Sequence, residues 1–365
     1  MDDHQNLFSE FEGIRKEEWI AKITGDLKGR PFEDLEWQID NTLDMSPVFH
    51  PEDAQQRPRI QPPSAPNNDW QIGESIKVSD AKTANALALE ALAKGANALR
   101  FELTDHFEHL AVLLEGIHLS YISVHFVIAE AQTTYIDELV AIAQAQSADL
   151  SGLQGSWQVS NGDLAKLLPF LHHCYTQLPT FKALTLRIEQ PAQQLSALQQ
   201  AIRQASDRLH QLRENGLSVE QIAAQFQFSV AIGKQYFAEL ARLRALHLLW
   251  ANLLQAYGAP AAPAAIEAHT DSAAYVDNIH SNMISATTQA MSAILGGIDR
   301  LYVLPANAHI EVPNTFTRRV ARNLQHLLKM ESYLDRVVDP AAGSYYIEEL
   351  TRKMVEQSWQ TLAQP

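Results

Sequence analysis

The sequence predicts an α/β protein of the (β/α)8 TIM barrel class with an N-terminal helical arm. Three observations support this: eight short β-type runs recur, helical periods separate them, and no glycine-rich phosphate loop follows the first run. Alternating strands and helices imply parallel strands joined by right-handed crossovers, and eight such units close into a barrel. An open doubly wound sheet is the alternative, but it usually carries a glycine-rich loop after its first strand. We therefore favour the barrel.

The order of the predicted elements follows from two periodicities, alternation in the strands and i, i+3, i+4 spacing in the helices. The predicted strands comprise residues 71–78, 98–103, 121–128, 149–154, 183–188, 225–231, 264–269 and 300–304. The predicted helices comprise residues 80–94, 129–146, 193–214, 233–257, 275–295 and 314–329.

The N-terminal segment, residues 1–66, is predicted to form an arm and a Pro-rich linker ahead of a barrel at 67–365. Residues 17–27 place Trp19 and Ile23 on one helical face, whereas residues 51–66 are rich in proline and should form an extended linker. One amphipathic helix cannot bury its own apolar face. We therefore expect the arm to pack against another surface.

Composition and charge exclude several classes of protein. The formal net charge of −15 would repel a phosphate backbone, so no nucleic acid is expected as a partner. The single cysteine, Cys174, excludes an internal disulfide and is typical of a reducing compartment. The acidic N-terminus does not resemble a signal peptide, and charged or polar residues interrupt the apolar stretch 111–129, so no membrane span is expected. A cytoplasmic protein is predicted.

The run His172-His173-Cys174 resembles a metal cluster but is interpreted as part of a helix. Adjacent residues on a helix point about 100° apart, so these three side chains cannot converge on one ion. No metal site is predicted, and Cys174 is interpreted as a small buried side chain rather than a catalytic thiol.

Three stretches of the sequence resemble methylmalonyl-CoA mutase. They are QFSVAIGKQYFAELARLRALHLLWANLLQAYG at 227–258, NMISATTQAMSAILGGIDRLYVLP at 282–305, and FTRRVARNLQHLLKMESYLDRVVDPAAGSYYIEELT at 316–351. The most specific part is the motif at 339–347. The arm, FEGIRKEEWIAKITGDLKG at 11–29, looks more like that of the non-catalytic small subunit of heterodimeric bacterial mutases than that of the large one.

The resemblance implies a barrel whose axis admits the CoA arm of an acyl-CoA, together with a separate cobalamin-binding domain. In the family that domain binds the cofactor through the histidine of an Asp-x-His-x-x-Gly motif. The nearest match here, Asp2-Asp3-His4, lacks the glycine. We therefore expect no cobalamin-binding domain and no cofactor bound by this chain alone, with adenosylcobalamin carried by a larger partner subunit.

The resemblance also directs attention to five polar residues near predicted strand ends. Ser75 stands where catalytic barrels carry a tyrosine, and Glu267 stands where they carry an arginine that can pair with a substrate carboxylate. The fifth strand, TLRIEQ, lacks the tyrosine and histidine of a catalytic barrel. With Gln154, His269 and Asp271, these residues are predicted to form the remnant of a substrate site at the barrel mouth. No catalytic residue is assigned.

Three functions stay open at this stage. The first is a non-catalytic small subunit that supports a cobalamin-carrying mutase subunit in a heterodimer. The second is a mutase barrel, isomerising methylmalonyl-CoA to succinyl-CoA, that is completed by a cobalamin domain on another chain. The third is a solitary barrel that binds acyl-CoA without turnover.

Overall fold

A computed structural model describes residues 13–39, 42–55, 67–104, 107–189 and 194–363. Two short arm strands, β1 (Trp37–Ile39) and β2 (Leu43–Met45), form an antiparallel hairpin. The remaining eight strands form one parallel sheet, which confirms the predicted fold class. They are β3 (Gln71–Lys77), β4 (Ala98–Glu102), β5 (Ser123–Glu130), β6 (Gly155–Asn161), β7 (Leu184–Ile188), β8 (Phe226–Ile232), β9 (Ile266–Thr270) and β10 (Arg300–Tyr302).

The sheet curves into a barrel because its first and last strands in sequence are neighbours. The strand order is β6-β5-β4-β3-β10-β9-β8-β7, with β3 and β10 paired in parallel through Gly73 and Tyr302. Gly73 is required at this contact, since a Cβ there would lie 2.5 Å from the Tyr302 ring. The carboxyl ends of all eight strands therefore lie at one end of the barrel, which we call the mouth.

The seam between β6 and β7 is closed by a single bridge near the amino ends of both strands. The amide of Trp157 donates to Lys182 O at 2.8 Å, and the amide of Lys182 donates to Gly155 O at 3.0 Å. No further backbone pairing joins these two strands within the described residues. The strands β6 and β7 are thus hydrogen-bonded at the amino end of this seam and separate from each other towards the mouth.

The predicted strand at 149–154 is wrong, because the fourth barrel strand is β6. Asp149 instead forms a turn, in which its carboxylate accepts hydrogen bonds from the Ser151 amide at 3.0 Å and from the Ser151 hydroxyl at 2.8 Å. Buried Trp157 packs on Phe126 of β5 with ring centroids 4.5 Å apart, and this contact anchors the true strand. The other seven predicted strands lie within a few residues of observed ones.

Helices surround the barrel and cover the outward faces of its strands. After the arm helices α1 (Lys16–Asp26) and α2 (Pro51–Gln55) they are α3 (Ala81–Ala93), α4 (Leu110–Leu113), α5 (Thr133–Ala145), α6 (Leu164–Gln177), α7 (Gln194–Glu214), α8 (Val219–Gln225), α9 (Tyr236–Ala256), α10 (Ile279–Leu295), α11 (Thr315–Met330) and α12 (Tyr345–Ala363). None of the helices in these ranges is long and apolar enough to cross a membrane.

The arm divides into a buried part and an exposed part. Leu43 and Met45 of the hairpin are buried, and Trp37 lies against Tyr346 of α12 with ring centroids 5.9 Å apart. In contrast, α1 buries none of its residues. Residues 51–55, predicted as extended linker, form α2, where proline at the first position favours a helix start. The rest of the linker, 56–66, lies outside the described residues, and the domain boundary at 66/67 stays a prediction.

Candidate functional site

The inner surface of the barrel is polar, because alternate residues of the strands carry polar side chains. Examples are Ser123-x-His125 in β5, Gln227-x-Ser229 in β8, Glu267-x-His269 in β9 and Arg300-x-Tyr302 in β10. Successive strand residues point to opposite faces, so each pair shares the interior. Hydrogen bonds between strands that are not neighbours, described next, confirm that these side chains meet across the axis.

Arg300 is the centre of the network near the amino end of the barrel. Its Nη1 donates to Gln227 Oε1 at 2.8 Å and lies 3.6 Å from Glu267 Oε2. Gln227 in turn donates through Nε2 to Thr185 Oγ1 at 2.8 Å. Arg300 and Glu267 are 8% and 2% exposed, so the pair lies inside the barrel with little access to water. A buried charge needs such a partner, since an unpaired one would be costly.

A second group of hydrogen bonds surrounds His125 on the opposite side of the axis. One ring nitrogen lies 2.8 Å from Ser156 Oγ, and the other lies 2.9 Å from Ser123 Oγ. Ser123 Oγ also donates to Gln71 Oε1 at 2.8 Å. Burial, with the nearby charge of Arg300, lowers the pKa of His125 well below its ordinary value. The ring is therefore neutral and acts as a structural bridge between strands.

Tyr302 fills the middle of the barrel. Its ring lies 6.3 Å from the ring of His125 and 6.0 Å from the guanidinium of Arg100, although both residues belong to strands that do not adjoin β10. It is 2% exposed, and its hydroxyl makes no hydrogen bond to the described residues. Burial raises the pKa of the Tyr302 phenol above its ordinary value. With Arg300 and His125, this ring occupies the space that an open axis would need.

Arg100 lies nearer the mouth, where the interior becomes more exposed. Its Nη1 donates to Glu102 Oε1 at 2.8 Å and to Ser75 Oγ at 3.3 Å, while Nη2 donates to Gln158 Oε1 at 3.3 Å. Ser75 also donates to Glu102 at 3.3 Å. The guanidinium charge is thus already compensated by a carboxylate of the same strand. Ser75, predicted as a site residue, belongs to this ionic group.

His269 lies next to Tyr302 in the register of β9 and β10, and β10 separates its strand from the strand of Ser75. Burial, together with the positive charges of Arg100, Arg187 and Arg242, lowers the pKa of His269 to about 3. The imidazole is therefore neutral at physiological pH. The ring makes no hydrogen bond to the described residues, so its nitrogens are available to donate or accept one. The ring does not take up a proton near pH 7.

The structure moves two of the predicted site residues away from the mouth. Gln154 immediately precedes β6 and accepts a hydrogen bond from Gln71 Nε2 at 3.0 Å, so it lies at the amino end. Its predicted place at a mouth was wrong because the fourth strand begins at Gly155. Glu267 is the second residue of β9 and lies deep inside the barrel, paired with Arg300. Neither side chain can meet a ligand that rests on the mouth.

The remaining predicted features have structural roles. Asp271 lies at the mouth, where its carboxylate accepts from the Ala273 amide at 2.9 Å and caps a short 3₁₀ turn. His173 lies 2.6 Å from Asp137 of α5. Cys174 is buried, and burial raises its pKa to about 12, which makes it a poor nucleophile. Residues 2–4, whose sequence was compared with a cobalamin motif, lie outside the described residues.

The mouth does not fit a cobalt ligand. His269 is the histidine among the predicted site residues, and the positive charges of Arg100, Arg187 and Arg242 lower its pKa. The same positive field that disfavours a proton on the ring would disfavour a metal cation. Within the described residues, no group of three histidine, cysteine or carboxylate side chains is arranged to hold a metal ion. We therefore derive no chemical step through cobalamin in this chain.

The sequence interpretation missed Arg100, Arg300, Tyr302 and His125, which dominate the interior. The signal was present as polar residues at alternate positions of strands that parallel sheets usually fill with apolar side chains. This pattern was overlooked because a single polar residue in a predicted strand is usually interpreted as marking the end of that strand. Which of them meet across the axis depends on strand order and register, and neither can be obtained from one strand.

Comparison with known proteins gives consistent results. The sequence model of the family "Methylmalonyl-CoA mutase" matches residues 165–364, more than half of the chain. The chain is 31% identical to the methylmalonyl-CoA mutase small subunit of Porphyromonas gingivalis over 98% of its own length and 63% of that protein. It is 27% identical to the small subunit of Streptomyces virginiae over 98% of this chain and 64% of the relative.

A shorter match links the chain to a large subunit. It is 35% identical to the methylmalonyl-CoA mutase large subunit of Propionibacterium freudenreichii subsp. shermanii over 40% of this chain and 20% of that protein. The chain thus spans a little under two thirds of the two small subunits that it matches almost throughout. With the barrel architecture and the motif at 339–347, these matches lead to one conclusion: the chain belongs to the methylmalonyl-CoA mutase family.

Proposed function

We propose that this chain is a non-catalytic small subunit that supports a larger, cobalamin-carrying methylmalonyl-CoA mutase subunit in the cytoplasm. The observation that carries the proposal is the filled barrel axis. A mutase barrel needs an open axis for the CoA arm, whereas Tyr302, Arg300 and His125 here are each buried to more than nine tenths. An acyl-CoA could enter only if this hydrogen-bonded interior were dismantled.

The chemistry of the mouth supports the same proposal. The position that would carry a carboxylate-pairing arginine holds Glu267, whose charge already faces Arg300. Arg100, one of the guanidinium groups whose charge acts on His269 at the mouth, is paired with Glu102 at 2.8 Å. A methylmalonyl carboxylate would have to displace that partner to bind. The mutase-barrel and acyl-CoA-binding alternatives both require a site that these residues do not provide.

The exposed helix α1 of the arm supports contact with a partner. Trp19 is 38% exposed and α1 buries no residue, although its apolar side chains lie on one face. The names of the related small subunits, and the match to a large subunit, point to a mutase chain as that partner. In the proposed heterodimer this face of α1 lies against the larger chain, which holds adenosylcobalamin.

The proposal can be tested by coexpression with the mutase chain of the same genome that carries an Asp-x-His-x-x-Gly motif. Native mass spectrometry should show a one-to-one complex. Trp19→Glu should weaken it because it introduces a charge on the apolar face of α1. Lys22→Glu changes an exposed position on the same helix, where Lys22 pairs with Asp26 in contact with solvent, and should not weaken the complex. A complex that never forms, or one that both substitutions weaken equally, would count against the proposal.

A further inference from the structure

A cleft of about 440 Å³ opens beside the seam where β6 and β7 part. This volume is within the range of small-molecule sites. Its base is formed by apolar side chains of the barrel wall, including Leu184, Leu186 and Phe226, with Leu167 of α6 at one side. It lies next to α7, and its lining also includes Thr185, whose hydroxyl accepts a hydrogen bond from Gln227 inside the barrel.

The polar rim of the cleft comes mainly from one face of α7. Gln204, Asp207, Arg208 and Gln211 recur at helical spacing and line the opening, opposite Arg187 of β7. Arg187 is paired with Glu189 at 2.6 Å. Arg208 instead forms no ion pair with the described residues, and its Nη1 donates to the neutral amide of Gln211 at 3.1 Å.

The guanidinium of Arg208 lies close to the loop that follows β6. A Cβ on Gly162 would lie 3.4 Å from Nη2 of Arg208, so the guanidinium rests against the backbone of this loop. An uncompensated guanidinium thus stands at the rim of an apolar cleft. Asp207 beside it reduces the local positive charge, and the chain as a whole carries −15. This combination favours a monoanion over a phosphate dianion.

From this geometry we propose that the cleft binds a monocarboxylate with an unbranched apolar chain. The carboxylate pairs with Arg208, and the chain lies against Leu184, Leu186 and Phe226. A guanidinium and a carboxylate can form two parallel hydrogen bonds. The ligand would therefore place its apolar chain inside the cleft and its carboxylate at the rim, beside Arg208. The residues that carry the proposal are not those of the predicted substrate site at the mouth, and the proposal does not depend on the function proposed above.

Isothermal titration of the isolated chain with octanoate tests the proposal. We expect saturable one-site binding, with affinity rising from butyrate to octanoate because each added methylene buries apolar surface. Arg208→Gln should weaken octanoate binding at least about tenfold by removing a charged hydrogen bond. Arg213→Gln is the matched control, since Arg213 lies on the same helix but faces the ring of Tyr257 and should leave binding unchanged.

Other outcomes overturn the proposal. Absence of saturable binding would do so, as would equal affinity for butyrate and octanoate, which would indicate attraction of anions to the surface without use of the apolar cleft. Equal effects of the two arginine substitutions would also contradict it. Arg208 is partly exposed, and Arg208→Glu provides a second variant that should abolish binding while thermal unfolding stays near that of the parent chain.

Discussion

Arg244 of α9 binds Asp339 through two parallel hydrogen bonds, Nε to Oδ1 at 2.9 Å and Nη2 to Oδ2 at 2.9 Å. The same guanidinium donates to Glu348 Oε1 at 3.1 Å and to Thr351 Oγ1 at 3.1 Å, both on or near the first turns of α12. Arg244 is 1% exposed. The motif at 339–347, the most specific mark of the family in this sequence, therefore shares with the start of α12 an attachment to α9.

Substitution of Arg244 should destabilise the fold strongly. Arg244→Gln leaves two carboxylates facing a buried neutral amide, and the loss of one partner of a buried ion pair costs about 3 kcal/mol or more. The measurement is the free energy of unfolding in urea. Arg203→Gln provides the control, since Arg203 is exposed and contacts a backbone oxygen of α12. A loss below about 1 kcal/mol for Arg244→Gln would contradict the proposed clamp.

The pair Arg300–Glu267 should show energetic coupling inside the barrel. Arg300→Met leaves Glu267 buried without a counter-charge and should cost about 3 kcal/mol of unfolding free energy. Adding Glu267→Gln removes that charge, so the double variant should be more stable than the sum of the single effects predicts, by at least about 1 kcal/mol. Additive effects would mean that the two charges do not interact across β9 and β10.

The neutral state of His269 predicts a pH dependence of stability. The pKa of histidine is about 6.5 in an unfolded chain but about 3 for His269 in the fold. Between these values the unfolded chain binds a proton that the folded chain does not, so stability falls as the pH drops. At pH 5 this amounts to about 2 kcal/mol.

The comparison of two titrations isolates this effect. The unfolding free energy of the parent chain should fall by about 2 kcal/mol more between pH 7 and pH 5 than that of His269→Gln. In NMR spectra, the ring signal of His269 can be assigned because it is missing in His269→Gln. In the parent chain this signal should not titrate above about pH 4. A ring pKa near 6.5 would show that the mouth is open to water and less positive than the structure indicates.

Cys174 should be unreactive in the folded protein. Burial raises its pKa to about 12, so almost no thiolate exists at pH 8, and the sulfur is inaccessible. Mass spectrometry after incubation with iodoacetamide at pH 8 should find it unmodified in native protein and fully modified in urea. Rapid labelling of native protein would show that α6 opens readily.

The fold could be predicted largely because strand and helix periods are local properties. The fourth strand was misplaced since Leu150 and Leu153 resemble strand residues, whereas the turn at Asp149 depends on side-chain hydrogen bonds. α12 was not predicted. Its place in the fold depends on long-range contacts, such as those of Arg244 with Glu348 and Thr351, which no local pattern reports.

The site was harder to predict than the fold. Resemblance led to Ser75 and His269, which the structure does place at the mouth. It also led to Gln154, which lies at the amino end of the barrel. The fourth strand was predicted at 149–154, but β6 begins only at Gly155, so Gln154 precedes the strand instead of ending it. The filling of the axis by Tyr302 and Arg300 depends on which strands lie opposite each other. That relation arises only when the barrel closes.

The most direct test of the central claim is turnover by the complex with the cobalamin-carrying mutase chain. We predict that Ser75→Ala combined with His269→Gln in this chain changes kcat for methylmalonyl-CoA by less than about twofold, whereas replacement of the cobalamin-binding histidine in the partner abolishes turnover. A loss of more than about tenfold from the substitutions in this chain, with the complex intact, would show that its barrel takes part in the reaction.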